Sequence, residues 1–223
     1  MRKSLPDKGT PWASLETDLI RSGSRDVKWR EGRAAVYVFN SGEDVMQVAH
    51  DAYGLFIAEN GLGPAAFPSL KRMEQEVVDI ALSLQNAPEG AAGSMTSGGT
   101  ESILLALKSC RDWNQRHRPV LGKPKIVVPY SAHPAFNKGA HLMGLEIVRV
   151  PLKADFTADV EGMAVVIDSR TIMVVGSAPC FPYGVIDPIP ELSRLAAERS
   201  IWLHVDACVG GYLSPFMQKV REE

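Results

Sequence analysis

The chain has 223 residues, 45% hydrophobic and 22% charged, enough for one good core with at most a small appendage and typical of a soluble globular protein. A formal net charge of -2 leaves no basic surplus, which argues against nucleic acid as a partner. No apolar run approaches the roughly 20 residues that cross a bilayer, the start Met1-Arg2-Lys3-Ser4-Leu5-Pro6 lacks the apolar centre of a signal peptide, and three widely spaced cysteines (Cys110, Cys180, Cys208) fit neither a disulfide framework nor a zinc site, so a reducing cytoplasm is expected.

In chain order, a short helix is expected near Ser14–Arg21, and Ala34–Phe39 reads as a short extended piece. From Glu43 the pattern turns helical, with Val45, Val48/Ala49, Ala52 and Phe56 at three- and four-residue steps forming a stripe expected to face a core. The loop Glu59–Pro64 breaks it. Pro68-Ser69 starts another helix, striped by Leu70, Met73, Val77, Ile80/Ala81 and Leu84, and Asn86–Gly90 ends it. Next comes Thr96-Ser97-Gly98-Gly99-Thr100-Glu101-Ser102, followed by the apolar helical run Ile103–Leu107. Beyond it, short strand-like runs (Lys125–Pro129, Leu145–Val150, Thr171–Gly176, Ile201–Val205) alternate with helical stretches (Pro134–Met143, Asp159–Ser169, Pro188–Arg199). That alternation implies right-handed crossovers and a mainly parallel sheet covered on both faces, an α/β fold. In such sheets ligands gather beyond the carboxyl ends of the strands.

Four features lie at those ends. The paired glycines Gly98 and Gly99, with Thr100, allow a tight turn into a helix whose first N–H groups and positive dipole end suit a phosphate; the same turn also reads as a plain cap on a buried helix. Asp206, directly after a strand, is placed to accept a charge-assisted hydrogen bond from a protonated ring nitrogen, or else caps a helix. His133, between a strand and a helix, can stack on a planar ligand or simply be a solvated loop histidine. Ser177 offers a hydroxyl where its strand runs into the loop Ala178–Gly184, whose prolines and glycine are ordinary turn chemistry. No histidine or carboxylate cluster has ligand spacing, so no metal is expected. Cys208 lacks the partners of a thiol nucleophile.

Together these segments resemble the pyridoxal-phosphate-dependent group II decarboxylase family, and within it the sphingosine-1-phosphate lyases. Thr96–Ile103 looks like the family's phosphate-binding turn, Ser131–Phe136 like the segment whose histidine stacks on the pyridine ring, and His204–Cys208 like the strand whose aspartate binds the pyridine nitrogen. Gly176–Pro179 and Phe181–Pro188 resemble the lyases' loop, and Leu5–Gly9, Tyr53–Phe56 and Phe67–Glu74 their amino-terminal region. The resemblance implies the large domain of the pyridoxal-phosphate-dependent transferase-like fold (aspartate aminotransferase fold type I), preceded by a segment over residues 1–60 and occupying 61–223. It implies pyridoxal 5'-phosphate as cofactor, held by Gly98, Gly99, Thr100, His133, Ser177 and Asp206, with His133, Asp206 and the substrate-side Tyr37 as catalytic residues. It further implies a homodimer and a small-molecule substrate, either a phosphorylated amino alcohol cleaved to an aldehyde and phosphoethanolamine or an amino acid to be decarboxylated. The family's Schiff-base lysine lies some tens of residues past the aspartate strand, whereas Lys219 is the only lysine after Asp206 here; the large domain is therefore expected to be incomplete and these residues alone inactive. At Asn60-Gly61-Leu62-Gly63-Pro64 the chain also departs from the lyases' Asn-Pro-Leu-His, and Gly63 has no side chain to stand in for that histidine.

Overall fold

The computed structural model describes residues 4–34 and 37–221, with side chains described through Met217. The chain divides into two compact units, Met1–Glu59 and Asn60–Glu223. In the first, α1 (Trp12–Ser22) is followed by two 3-10 turns and by α2 (Glu43–Leu55). The extended piece expected at Ala34–Phe39 falls partly outside the described residues, and Tyr37, Val38 and Phe39 lie in a turn and coil rather than a strand. The stripe expected to bury one face of α2 does not do so: no residue of α2 is buried, and Val45 and Val48 are exposed. Helical periodicity is satisfied there, but no described residue of the unit covers the face it creates.

The second unit carries the sheet. After α3 (Pro68–Leu84) and α4 (Gly99–His117), four strands alternate with helices: β1 (Lys125–Pro129), α5 (Ala135–Leu142), β2 (Glu146–Val150), α6 (Val160–Val166), β3 (Thr171–Ser177), α7 (Ile189–Glu198), β4 (Trp202–Asp206) and finally α8 (Ser214–Arg221). All three pairings are parallel, in the order β2-β1-β3-β4.

The strands exist because their β-branched and aliphatic residues alternate between two covered faces. On one face Ile126, Val128, Met173 and Val175 pack with Ile103 and Leu107 of α4 and Phe136 and Ala140 of α5. On the other, Val127, Val150 and Val174 meet Met163 of α6 and Leu192, Leu195 and Ala196 of α7. The central strands β1 and β3 are accordingly buried throughout, while β2 and β4 at the edges are mostly half-buried. At the amino-terminal edge Lys125 is buried, its Nζ donating to the Val166 carbonyl at 2.6 Å and pairing with Asp168 at 2.8 Å. Because every strand runs the same way, all carboxyl ends open on one side. In that alignment Ser177 is the register partner of Asp206 on the neighbouring strand.

Candidate functional site

The turn before α4 is held open by its own side chains. Gly98 caps the helix with φ 147°, a value that L side chains rarely adopt, and its N–H donates to Thr96 Oγ1 at 3.3 Å. Thr96 Oγ1 donates to the Gly98 carbonyl at 3.1 Å and meets Ser102 Oγ at 2.7 Å, and Glu101 folds back to accept from the Ser97 N–H at 2.6 Å. Hydrogen bonds from Ser97 hold the Glu101 carboxyl below the usual range. The Ser102 N–H makes the first helical bond, to Gly98, which leaves the N–H groups of Gly99 and Thr100 pointing out of the helix start. A Cβ at Gly99 would come within 2.7 Å of Cys208 Sγ, so any larger residue here would have to displace the Cys208 thiol.

The strand ends supply the rest. After β1, the Ala135 N–H donates to His133 Nδ1 at 3.1 Å, which orients an imidazole that is otherwise exposed. After β3, Ser177 is buried; its N–H donates to Asp187 Oδ2 at 2.7 Å and its carbonyl accepts from the Asp187 N–H at 3.0 Å. Asp187 Oδ1 also accepts from the Ala158 N–H at 2.8 Å. Burial pushes the Asp187 carboxyl above its ordinary range, against the two N–H donors that pull it down. At the end of β4, Asp206 accepts the Cys208 N–H at 3.2 Å and is half-buried. Cys208 is exposed as a residue, yet burial of its sulfur, then the Asp206 carboxylate, push the thiol up to about 12. It stays protonated at neutral pH and is no nucleophile.

These groups share one cavity of about 250 Å³, lined among others by Gly99, Thr100, Ser131, His133, Ser177 and Asp206. Five of the residues singled out from sequence are thus brought together, and Gly98 stands next to them in the turn. Tyr37 is not among the lining residues. It belongs to Met1–Glu59, where it is largely exposed and lines a separate groove with Trp29, Arg33 and Val38. Sequence reasoning passed over Ser131 and Asp187. Both sit inside the quoted segments, but only the fold reveals that one faces the cavity wall and the other fastens Ser177.

A phosphate-bearing planar ligand fits this donor set. The glycine turn offers a cradle that a Cβ would fill, the fixed imidazole a stacking surface, Asp206 an acceptor for a ring N–H, and Ser131 Oγ a buried hydroxyl with no hydrogen-bond partner among the described residues.

Sphingosine-1-phosphate lyase 1 of Mus musculus is 44% identical over 217 residues, covering 97% of this chain and 38% of the mouse protein. The solved structure of the sphingosine-1-phosphate lyase of Burkholderia pseudomallei matches with a TM-score of 0.89 at 35% identity, covering 99% of this chain and 52% of that one. The L-tyrosine/L-aspartate decarboxylase of Methanocaldococcus jannaschii is 33% identical over 221 residues, 96% of this chain and 54% of the decarboxylase. The chain therefore spans between about two fifths and about half of these relatives. Its fold is the large domain of fold type I, and the cofactor that goes with the family is pyridoxal phosphate. With residues 1–222 matching the pyridoxal-dependent decarboxylase conserved domain around a cavity suited to that cofactor, the chain belongs to the pyridoxal-dependent decarboxylase family.

Proposed function

We propose that this chain supplies the cofactor site of a carbon–carbon lyase acting on a phosphorylated amino alcohol, releasing an aldehyde and a phosphoethanolamine-like product. The observation that carries the reading is the single cavity where the start of α4 and the carboxyl ends of β1, β3 and β4 meet. There Gly98, Gly99 and Thr100 receive the phosphate through helix-start N–H groups, without a dedicated cation. His133, its ring held by the Ala135 N–H, sets the plane of the pyridine. Asp206 accepts the ring N–H and, as an opposite charge at close range, keeps that nitrogen protonated. Ser177 adds a hydroxyl beside Asp206, its position fastened by Asp187. When bound, the cofactor supplies a protonated ring that takes up the electron pair left as a bond to the amine-bearing carbon breaks. We assign Tyr37 to the substrate side, where a hydroxyl proton must leave as the carbon–carbon bond opens.

Lys219 is the only lysine after Asp206 among these residues, and we propose that a polypeptide of these 223 residues holds the cofactor without turnover by itself. We further propose a reducing, cytoplasmic setting, in keeping with three free cysteines, and a homodimer in the full-length form, which would cover the exposed apolar face of α2 and the partly exposed one of α3. No helix among the described residues is long and apolar enough to cross a membrane. A second reading, an amino-acid decarboxylase, is favoured by Gly63 where the lyases carry histidine and by the likeness to the Methanocaldococcus decarboxylase. Incubating the full-length protein with sphinganine phosphate and, separately, with common amino acids decides between them. Aldehyde formation is expected; release of carbon dioxide without aldehyde rejects the lyase.

A further inference from the structure

We propose that Ser131 is an additional cofactor-binding residue, whose hydroxyl donates a hydrogen bond to an acceptor oxygen of pyridoxal phosphate in the cavity. This rests on the cofactor reading above. Among the described residues, Ser131 Oγ is the one buried side-chain polar atom without a hydrogen-bond partner, in a residue only 4% exposed. Other buried polar side chains are satisfied: Asn114 donates to the Cys110 carbonyl, Lys125 to Val166, and Asp187 accepts from Ser177 and Ala158. An orphaned buried hydroxyl costs free energy, and folded chains seldom keep one unless something outside the chain completes it.

Laxity of the loop does not explain the orphan. The Tyr130 N–H donates to Val150 at 2.9 Å and the Ala132 N–H to Pro129 at 3.0 Å. Arg149, from β2, donates through Nη1 to the carbonyls of Pro129, Tyr130 and Ala132 at 3.2, 3.0 and 3.2 Å, and through Nε to Asn137 Oδ1 at 3.2 Å. The backbone on both sides of Ser131 is thus fastened to the neighbouring strand, and the hydroxyl is left with only its own rotation. In its present position the oxygen is closed off, but serine has three staggered wells, and Ser131 lines the cavity together with Gly99, Thr100, His133, Ser177 and Asp206. A hydroxyl donates one proton, and the ring oxygen and phosphate oxygens of the cofactor are acceptors, so the two are complementary. Ser131 also borders a second groove of about 310 Å³ with Asn137 and Arg149; service to that groove would leave cofactor affinity untouched.

The test is equilibrium dialysis of pyridoxal phosphate against the unsubstituted chain, Ser131→Ala and Asp206→Asn, with thermal unfolding of each without cofactor. Removing an orphaned hydroxyl should leave the cofactor-free Tm unchanged or raised, while cofactor Kd rises about tenfold, the loss of a hydrogen bond to a charged acceptor. Equal Kd for Ser131→Ala and the unsubstituted chain, with Asp206→Asn weakened, overturns the assignment of Ser131 and leaves the cofactor reading standing. A weakened Ser131→Ala whose cofactor-free Tm also falls assigns the residue a structural role and overturns the proposal. An unsubstituted chain that takes up no cofactor overturns both.

Discussion

Strands β1 and β3 and helices α2 and α3 are all rich in aliphatic side chains, yet every residue of the two strands is buried and no residue of the two helices is. The strands lie between two layers of helices, so each of their side chains meets a facing surface. The helices have well-formed apolar stripes, but within its own unit neither stripe is closed over. Periodicity therefore defines a face, and only the rest of the fold supplies what covers it. The site follows the covered region: its residues extend from the ends of β1, β3 and β4 and the start of α4, whose orientation the packed sheet fixes.

The contrast predicts its largest effect at Phe136, which is fully buried against α4 and the sheet. Phe136→Ala should destabilise the chain by about 3–5 kcal/mol through lost burial and a residual cavity, read as a fall in the denaturant midpoint with little change in m. Retention of the unsubstituted midpoint would show that the packed region is not the source of stability.

A smaller effect is expected at two carboxylates, the buried Asp187 and the exposed Asp168 at the foot of β3, with opposite pH signs. Asp187→Asn keeps the shape but replaces an acceptor with an N–H₂ group, leaving the Ser177 or the Ala158 N–H unsatisfied. That should cost about 1–3 kcal/mol in urea unfolding at neutral pH. Burial raises the Asp187 carboxyl, so the folded chain binds this proton more tightly than the unfolded chain; its contribution is present at low pH and is lost as pH rises through the raised folded value. Asp168 behaves oppositely. Lys125 above all holds it down to about 2 from an ordinary 3.8, so its contribution is full above the unfolded value and is lost as pH falls from about 4 through about 2. Stability measured against pH should fall less steeply across that acid window in Asp168→Asn, and an unchanged slope would remove Lys125–Asp168 from the forces holding β1 in place.

Much of the sheet was legible from residue types alone. The runs at 125–129 and 171–176 are dense in valine, isoleucine and methionine, and the structure forms β1 over Lys125–Pro129 and β3 over Thr171–Ser177. Five cavity residues were also legible: His133, Ser177 and Asp206 because a parallel sheet sends its strand ends to one side, and Gly99 and Thr100 because paired glycines open a helix. Long-range contacts were not. That Ser131 is orphaned depends on Arg149 fastening its loop from the next strand, and the role of Asp187 depends on the distant Ala158 turn. The local pattern around each of these residues carries no trace of such a partner. Tyr37 shows the reverse limit: its role comes from the resemblance alone, and the described residues of Met1–Glu59 contain no strand to carry it.

The smallest effect tests the uncovered side of the contrast. Ile80 lies on the stripe of α3 and is 54% exposed, so Ile80→Ala removes little buried area. Alanine also has the higher helix propensity, which offsets part of any loss. The expected change in unfolding free energy is within about 0.5 kcal/mol, measured at a protein concentration low enough to keep the chain monomeric. A loss approaching that of Phe136→Ala would mean that the stripe is covered in solution. A loss that appears only as concentration rises would identify the cover as a second copy of the chain, because a contact between copies stabilises by mass action whereas one within the chain does not.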